Sequence, residues 1–183
     1  MANLSAEARH TIAMPQRISI YVLLLVTLGV FLNHFSVEHK ENGYLLMVDG
    51  REVDAIGIAQ DNWVKLTRNC SRVRSVDAQT PELLTLLQLI RDYSPPASET
   101  AHVIQAATTG NWALVEVKFK DLLPAVVLID QTVQPPQIVP NAIWSGETHP
   151  WRPAPFVRQY ISSKAPQAPS DLLDCFEPQL KNL

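Results

Sequence analysis

Residues 18–35 read ISIYVLLLVTLGVFLNHF, eighteen positions without a formal charge, and Ser36-Val37 extends the run to twenty. At ~1.5 Å per helical residue, twenty residues span about 30 Å, the thickness of a bilayer's hydrocarbon core. A run of this length restricts the chain to a membrane span, a secretory leader or a wholly buried helix. The buried helix of a soluble domain keeps some amphipathic stripe, and residues 22–26 (VLLLV) have none. A cleaved leader needs small residues before the cut, whereas Asn33-His34-Phe35-Ser36-Val37 offers no A-x-A pattern and no lipid-accepting cysteine. The run therefore predicts an uncleaved transmembrane helix over 18–37, with Tyr21 and Phe35 as interfacial anchors.

Arg9, Arg17 and the N-terminal amine precede the run, while Glu38, Lys40 and Glu41 follow it. The excess of positive charge before the span predicts a cytoplasmic tail over 1–17, with the remainder exported. In a bacterium that is a single-pass inner-membrane protein with a periplasmic C-terminal domain; in a eukaryote the same domain is lumenal. The tail is too short to hold a domain, so any signal sent inward must pass through another membrane protein. The lipid bilayer is the first predicted partner.

Once the span is set aside, residues 36–183 carry 13 basic and 17 acidic side chains, net −4, and the whole chain carries −3. That balance excludes a polybasic nucleic-acid binder. The exported part has the size of one ordinary domain, predicted over 38–134, followed by a proline-rich arm over 135–183. Residues 44–48, Asp49-Gly50 and residues 51–58 form a hairpin signal, because Asp-Gly supplies the positive φ angles of a tight turn. Further extended segments are expected at 62–66 and 71–76, and Gly57 is read as weakening the second arm's edge or marking a bulge. Thr80 caps a helix over 80–92, with Pro81 in its first turn, an apolar face of Leu83, Leu84, Leu86, Leu87 and Ile90, and Pro95-Pro96 beyond its end. Residues 101–108 fit helix or strand equally. Residues 112–120 alternate as a half-exposed strand, and 125–129 (AVVLI) reads as a buried central strand. The order predicts an α+β domain with a mainly antiparallel sheet and one principal helix. Nine of the fourteen prolines fall in the last 49 residues, which predicts an extended arm with a short helix near 170–176.

Cys70 and Cys175 are the chain's two cysteines, both on the exported side, and are expected to form a disulfide that staples the arm to the sheet. Lys65, Arg68, Arg72 and Arg74 lie in a ten-residue window without an acid, a candidate docking patch or a solvated face. Trp144, Trp151, Arg152 and Phe156 lie in a segment rich in aromatics and proline. Such residues anchor an extended arm in a partner's groove or lay it over its own domain. Nucleotide-binding, zinc-hydrolase and serine-hydrolase motifs are absent from the sequence. Glu147 with His149 is at most an isolated acid–base pair, and His34, Glu38, His39 and Glu41 have no spacing that enforces a metal shell. No catalytic residue, metal or cofactor is therefore predicted.

The resulting expectation is a non-catalytic single-pass subunit or assembly factor of a bacterial envelope complex, whose partners are other membrane or envelope proteins. Two alternatives are a membrane-anchored sensor or co-regulator and an anchored periplasmic hydrolase built around His149 or His102. Thiol labelling of the purified, unfolded protein tests the disulfide: no reactive thiol is expected before reduction and two after it, and two thiols before reduction would sink the pairing.

Overall fold

The computed structural model describes residues 13–77 and 79–180; of residues 13–19, 31 and 32 it describes the backbone alone, so most of the expected tail 1–17 lies outside it. The chain divides into two units, residues 1–53 and 54–183, rather than at position 37.

In the first unit, helix α1 (Ala13–His34) leads into β1 (Phe35–Lys40), β2 (Gly43–Val48) and β3 (Arg51–Val53). The three strands form an antiparallel sheet in the order β1-β2-β3. Every large apolar side chain from Ile20 to Val30 is exposed around the full circumference of α1. The Thr27 hydroxyl donates back to the Leu23 and Leu24 carbonyls, 2.9 Å each, and so needs no outside partner. Among the described residues, no helix is long and apolar enough to cross a membrane. The expected 18–37 segment is also not all helix: residues 35–37 are strand. Their pairing partners are Val48, Met47 and Leu46, and this ladder satisfies their backbone outside any helix.

The hairpin forms where Asp-Gly predicts it. Asp49 and Gly50 have φ of 50° and 76°, the two positive angles a type I′ turn requires. The turn also closes α1, because the Asp49 N–H donates to the His34 carbonyl at 3.1 Å and its carboxylate meets His34 Nδ1. The hairpin's second arm stops at Val53, five residues short of expectation, since Asp54 caps a helix instead.

The second unit is a five-stranded antiparallel meander, β4 (Arg74–Ser75), β5 (His102–Thr109), β6 (Trp112–Lys118), β7 (Ala125–Asp130) and β8 (Gln137–Ser145), ordered as in the sequence. Helix α3 (Pro81–Arg91) covers one face, burying Leu83, Leu86 and Ile90 against Ala113, Val115, Val117 and Val127. Helices α4 (Pro153–Lys164) and α5 (Ser170–Cys175) cover the other, burying Val157, Ile161, Leu172 and Phe176 against Leu114, Val126 and Leu128. Helix α2 (Ala55–Thr67) packs beside α4 and α5. Residues 101–108 resolve as strand. The predicted cap of α3 holds, with Thr80 Oγ1 accepting from the Leu83 N–H.

Four expectations are corrected. Residues 62–66 are helical, because Asp54 accepts from the Gly57 N–H at 2.7 Å and starts α2, a long-range consequence that NWVKL does not announce. Gly57 is no bulge: a Cβ there would lie 2.0 Å from the Asp54 carboxylate, so glycine permits the cap. Strand β6 is buried on both faces, because α5 and the segment after it lie over Leu114 and Glu116. The arm at 135–183 is folded into β8, α4 and α5, so the domain has several helices rather than one. Its prolines punctuate these elements. Pro153 and Pro155 occupy the first turn of α4, where no N–H partner is needed, and Pro140 sits in the sheet's edge strand.

Glu116 is fully buried on β6 and makes no ion pair among the described residues. Its carboxylate accepts from Gln105 Nε2 at 2.7 Å, from the Gln179 N–H at 2.9 Å and from the Leu180 N–H at 2.7 Å. Removing it takes the acceptor from the Gln179 and Leu180 N–H groups and one of two acceptors from the Gln105 amide. Glu116→Ala is expected to cost about 3 kcal/mol, a loss readable in a urea melt, with amide exchange at 179 and 180 accelerated beyond the rest of the domain.

Candidate binding groove at the edge of β5

A recess of about 650 Å³ in the second unit runs along β5. Its floor is the edge of β5 from residue 102 to 107. One wall is α3, through Leu83, Leu84 and Leu87; the other is the Cys70–Cys175 disulfide with Phe176 and Arg68. The groove exists because β4 is only two residues long, pairing Arg74 with Thr108 and Ser75 with Ala107, so that among the described residues no strand neighbours the remainder of the β5 edge.

The disulfide forms as expected between Cys70 and Cys175, with Cα atoms 5.8 Å apart and 105 positions between them in sequence. Cys70 is exposed and Cys175 half-buried, so the bond forms an accessible part of the groove wall. Closing a loop of that size restricts the unfolded chain by about 4–5 kcal/mol on the loop-entropy estimate.

The basic window converges on this staple instead of standing free. Lys65 Nζ lies 3.1 Å and an Arg68 guanidinium nitrogen 2.7 Å from the Glu177 carboxylate, and Arg68 also donates to the Asp174 carbonyl at 3.1 Å. Arg72 makes a Coulombic contact with Asp171 at 2.9 Å, and Arg74 meets Glu82 at 3.0 Å. Three of the four cations thus clamp residues 171–177, on either side of Cys175. Arg74 ties β4 to α3, and Arg72 and Arg74 keep most of their side-chain surface in water.

The aromatic segment divides. Trp144 is half-buried on β8 against the α4–α5 core, and Trp151 and Phe156 are half-buried at the start of α4. Arg152 precedes α4; its backbone N–H donates to Asp54 Oδ2 at 2.8 Å and its guanidinium lies 3.6 Å from Asp61. Asp61 is buried and bonded to Arg158 at 2.7 Å. Arg152 therefore locks α2 to α4 rather than extending the basic window.

Sequence reasoning missed the outward face of α2. It carries Ile56, Trp63 and Leu66, with Leu66 82% exposed, while Gly57 and Asp61 point inward. The helical spacing i, i+7, i+10 was available as a signal, but strand-like alternation over 62–66 masked it. A second cavity of about 450 Å³, mostly apolar, lies under the 119–123 loop between Ile90, Phe119, Ile138 and Ile143.

The candidate polar clusters stay apart. His102, Glu147 and His149 are exposed. His34 pairs with Asp49, His39 packs on the Tyr44 ring, and Lys40 binds Glu52. That Glu52 hydrogen bond raises the Lys40 ammonium above its ordinary range. Among the described residues, no three metal-ligating side chains converge. Comparison with protein-family models, curated proteins and solved structures finds no match.

Partial burial would raise the Glu177 carboxyl, yet hydrogen bonds from Arg68 and Lys65 win and hold it below its ordinary 4.5. A depressed carboxylate contributes stability above its unfolded value and loses it as pH falls through the folded one. Because Glu177 is well solvated, its contribution is on the order of 1 kcal/mol or less. Glu177→Gln should be less stable than the parent at neutral pH, and the difference should disappear at a pH acid enough to protonate the folded carboxylate. Urea midpoints at the two pH values measure it, and a constant difference would remove the ion pairs from the account.

Proposed function

We propose that this chain is a non-catalytic single-pass subunit or assembly factor of a bacterial envelope complex. In this reading α1 and the residues beside it hold the protein in the inner membrane, the N-terminus is cytoplasmic and the second unit binds neighbours in the periplasm. The groove along β5 carries the proposal: a sizeable recess with an unpaired strand edge as its floor is a place to hold protein. The exposed apolar circumference of α1 supports the anchor, and a disulfide in the groove wall suits an oxidising compartment. The Ile56–Trp63–Leu66 face of α2 offers a second contact surface. A tethered module meets its partners at high effective concentration, so modest surfaces suffice.

The cavity under the 119–123 loop favours one other reading, a membrane-anchored sensor or co-regulator that takes a small apolar ligand there. Gentle detergent extraction of the protein at native abundance separates the two. The first reading expects stoichiometric recovery with a multi-protein assembly and retention in the membrane pellet after alkaline washing. A single partner with a cytoplasmic regulatory domain points to the sensor. Monomeric recovery counts against both, and release by alkali removes the anchor.

A further inference from the structure

We propose that the groove is a strand-addition site, in which the edge of β5 takes up an extended segment of a partner protein as a sixth strand. This rests on the reading of the second unit as a protein-binding module and specifies how it binds. The Ala106 carbonyl already accepts from the Val76 N–H at 2.9 Å, so the β4 line ends there, and no strand among the described residues continues it past residues 102–105. An unpaired edge templates further pairing, and folded proteins guard such edges with lysine, proline or a covering element. Residues 102–106, HVIQA, contain neither lysine nor proline and include two β-branched residues suited to a ladder. The edge is instead framed, with α3 on one side and the disulfide and Phe176 on the other.

That frame selects the occupant. A strand laid on the edge has one face toward Leu83, Leu84 and Leu87 and the other toward Phe176 and the Cys70–Cys175 bond. Alternate side chains of the incoming segment therefore meet apolar walls, and its backbone meets the free edge groups. Five residues at ~3.4 Å each cover about 17 Å of edge, so the segment is short. The partner is thus a protein with an extended, alternately apolar segment.

The test uses the full chain in detergent micelles and a displayed library of random seven-residue peptides. Enriched peptides are expected to place apolar residues at every second position, and the best one serves as the probe. Its binding should slow amide exchange at 102–106, and methylating alternate backbone nitrogens should weaken it at least ~10-fold. Leu84→Glu, at an already exposed wall position, should weaken the probe by a similar factor, and so should Val103→Lys, which puts a charge on the groove's α3 side. Leu122→Ser, at the other cavity, should leave binding unchanged.

Equal affinity of the N-methylated probe, protection elsewhere in the domain, or enrichment without period-two spacing would overturn strand addition. So would concentration-dependent protection of 102–106 without peptide, which would assign the edge to a second copy. If the co-purifying assembly survives Val103→Lys and Leu84→Glu, strand addition is wrong while the module reading stands; if there is no assembly, the module reading itself fails.

Discussion

The second unit depends on how tightly the sheet holds the chain's C-terminal segment. Glu116 sits at the centre of the sheet, sealed from water, and is satisfied by an amide side chain and two backbone N–H groups from residues 179 and 180. Gln105, which donates to Glu116, also reaches the Glu177 carbonyl at 2.6 Å. A buried carboxylate is tolerated only when such donors are fixed in place. The disulfide and the cations Lys65, Arg68 and Arg72 fix them, one covalently and the others through Glu177 and Asp171. Each device presupposes the others: the staple positions the donors, the donors satisfy the carboxylate, and the carboxylate draws the segment over the sheet.

The groove follows from the same arrangement. Where residues 175 and 176 cross near β5 they build a wall beside the strand instead of covering its edge, and α3 supplies the opposite wall. Two layers that cover the sheet's faces but stop at its edge leave a slot along it. The short β4 ends before filling it. A longer β4 would pair the edge within the chain and leave only a surface crevice. The feature on which the functional proposal rests is thus a consequence of fold economy at one edge of one sheet.

Local signals were reliable where the physics is local. Asp49-Gly50 forms its turn, Thr80 caps α3 ahead of Pro81, and 125–129 is buried throughout, because each depends on a few adjacent residues or on plain hydrophobicity. They failed where the deciding partner is remote. Residues 62–66 alternate like a strand, but α2 is anchored by Asp54 and Asp61, whose carboxylates are held by Arg152 and Arg158 almost a hundred positions away. The basic window resembled a free surface because the acids that engage it, Asp171, Glu177 and Glu82, lie outside it in sequence. Proline density resembled an extended arm because composition does not reveal whether a proline lies within a helix or at its first turn.

The sequence by itself determined the apolar run, the tight turn, the α3 cap, the antiparallel α+β character and a cysteine pair with no competitor. These are properties of chain length, residue type and short spacing, and they survive whatever the rest of the molecule does. Only the tertiary structure decided that the C-terminal residues form a strand and helices over the sheet, that the cations belong to a clamp and that β5 keeps an open edge between two walls. Those outcomes depend on which distant groups meet when the core closes, and a buried polar group must find its partner wherever in the chain that partner lies.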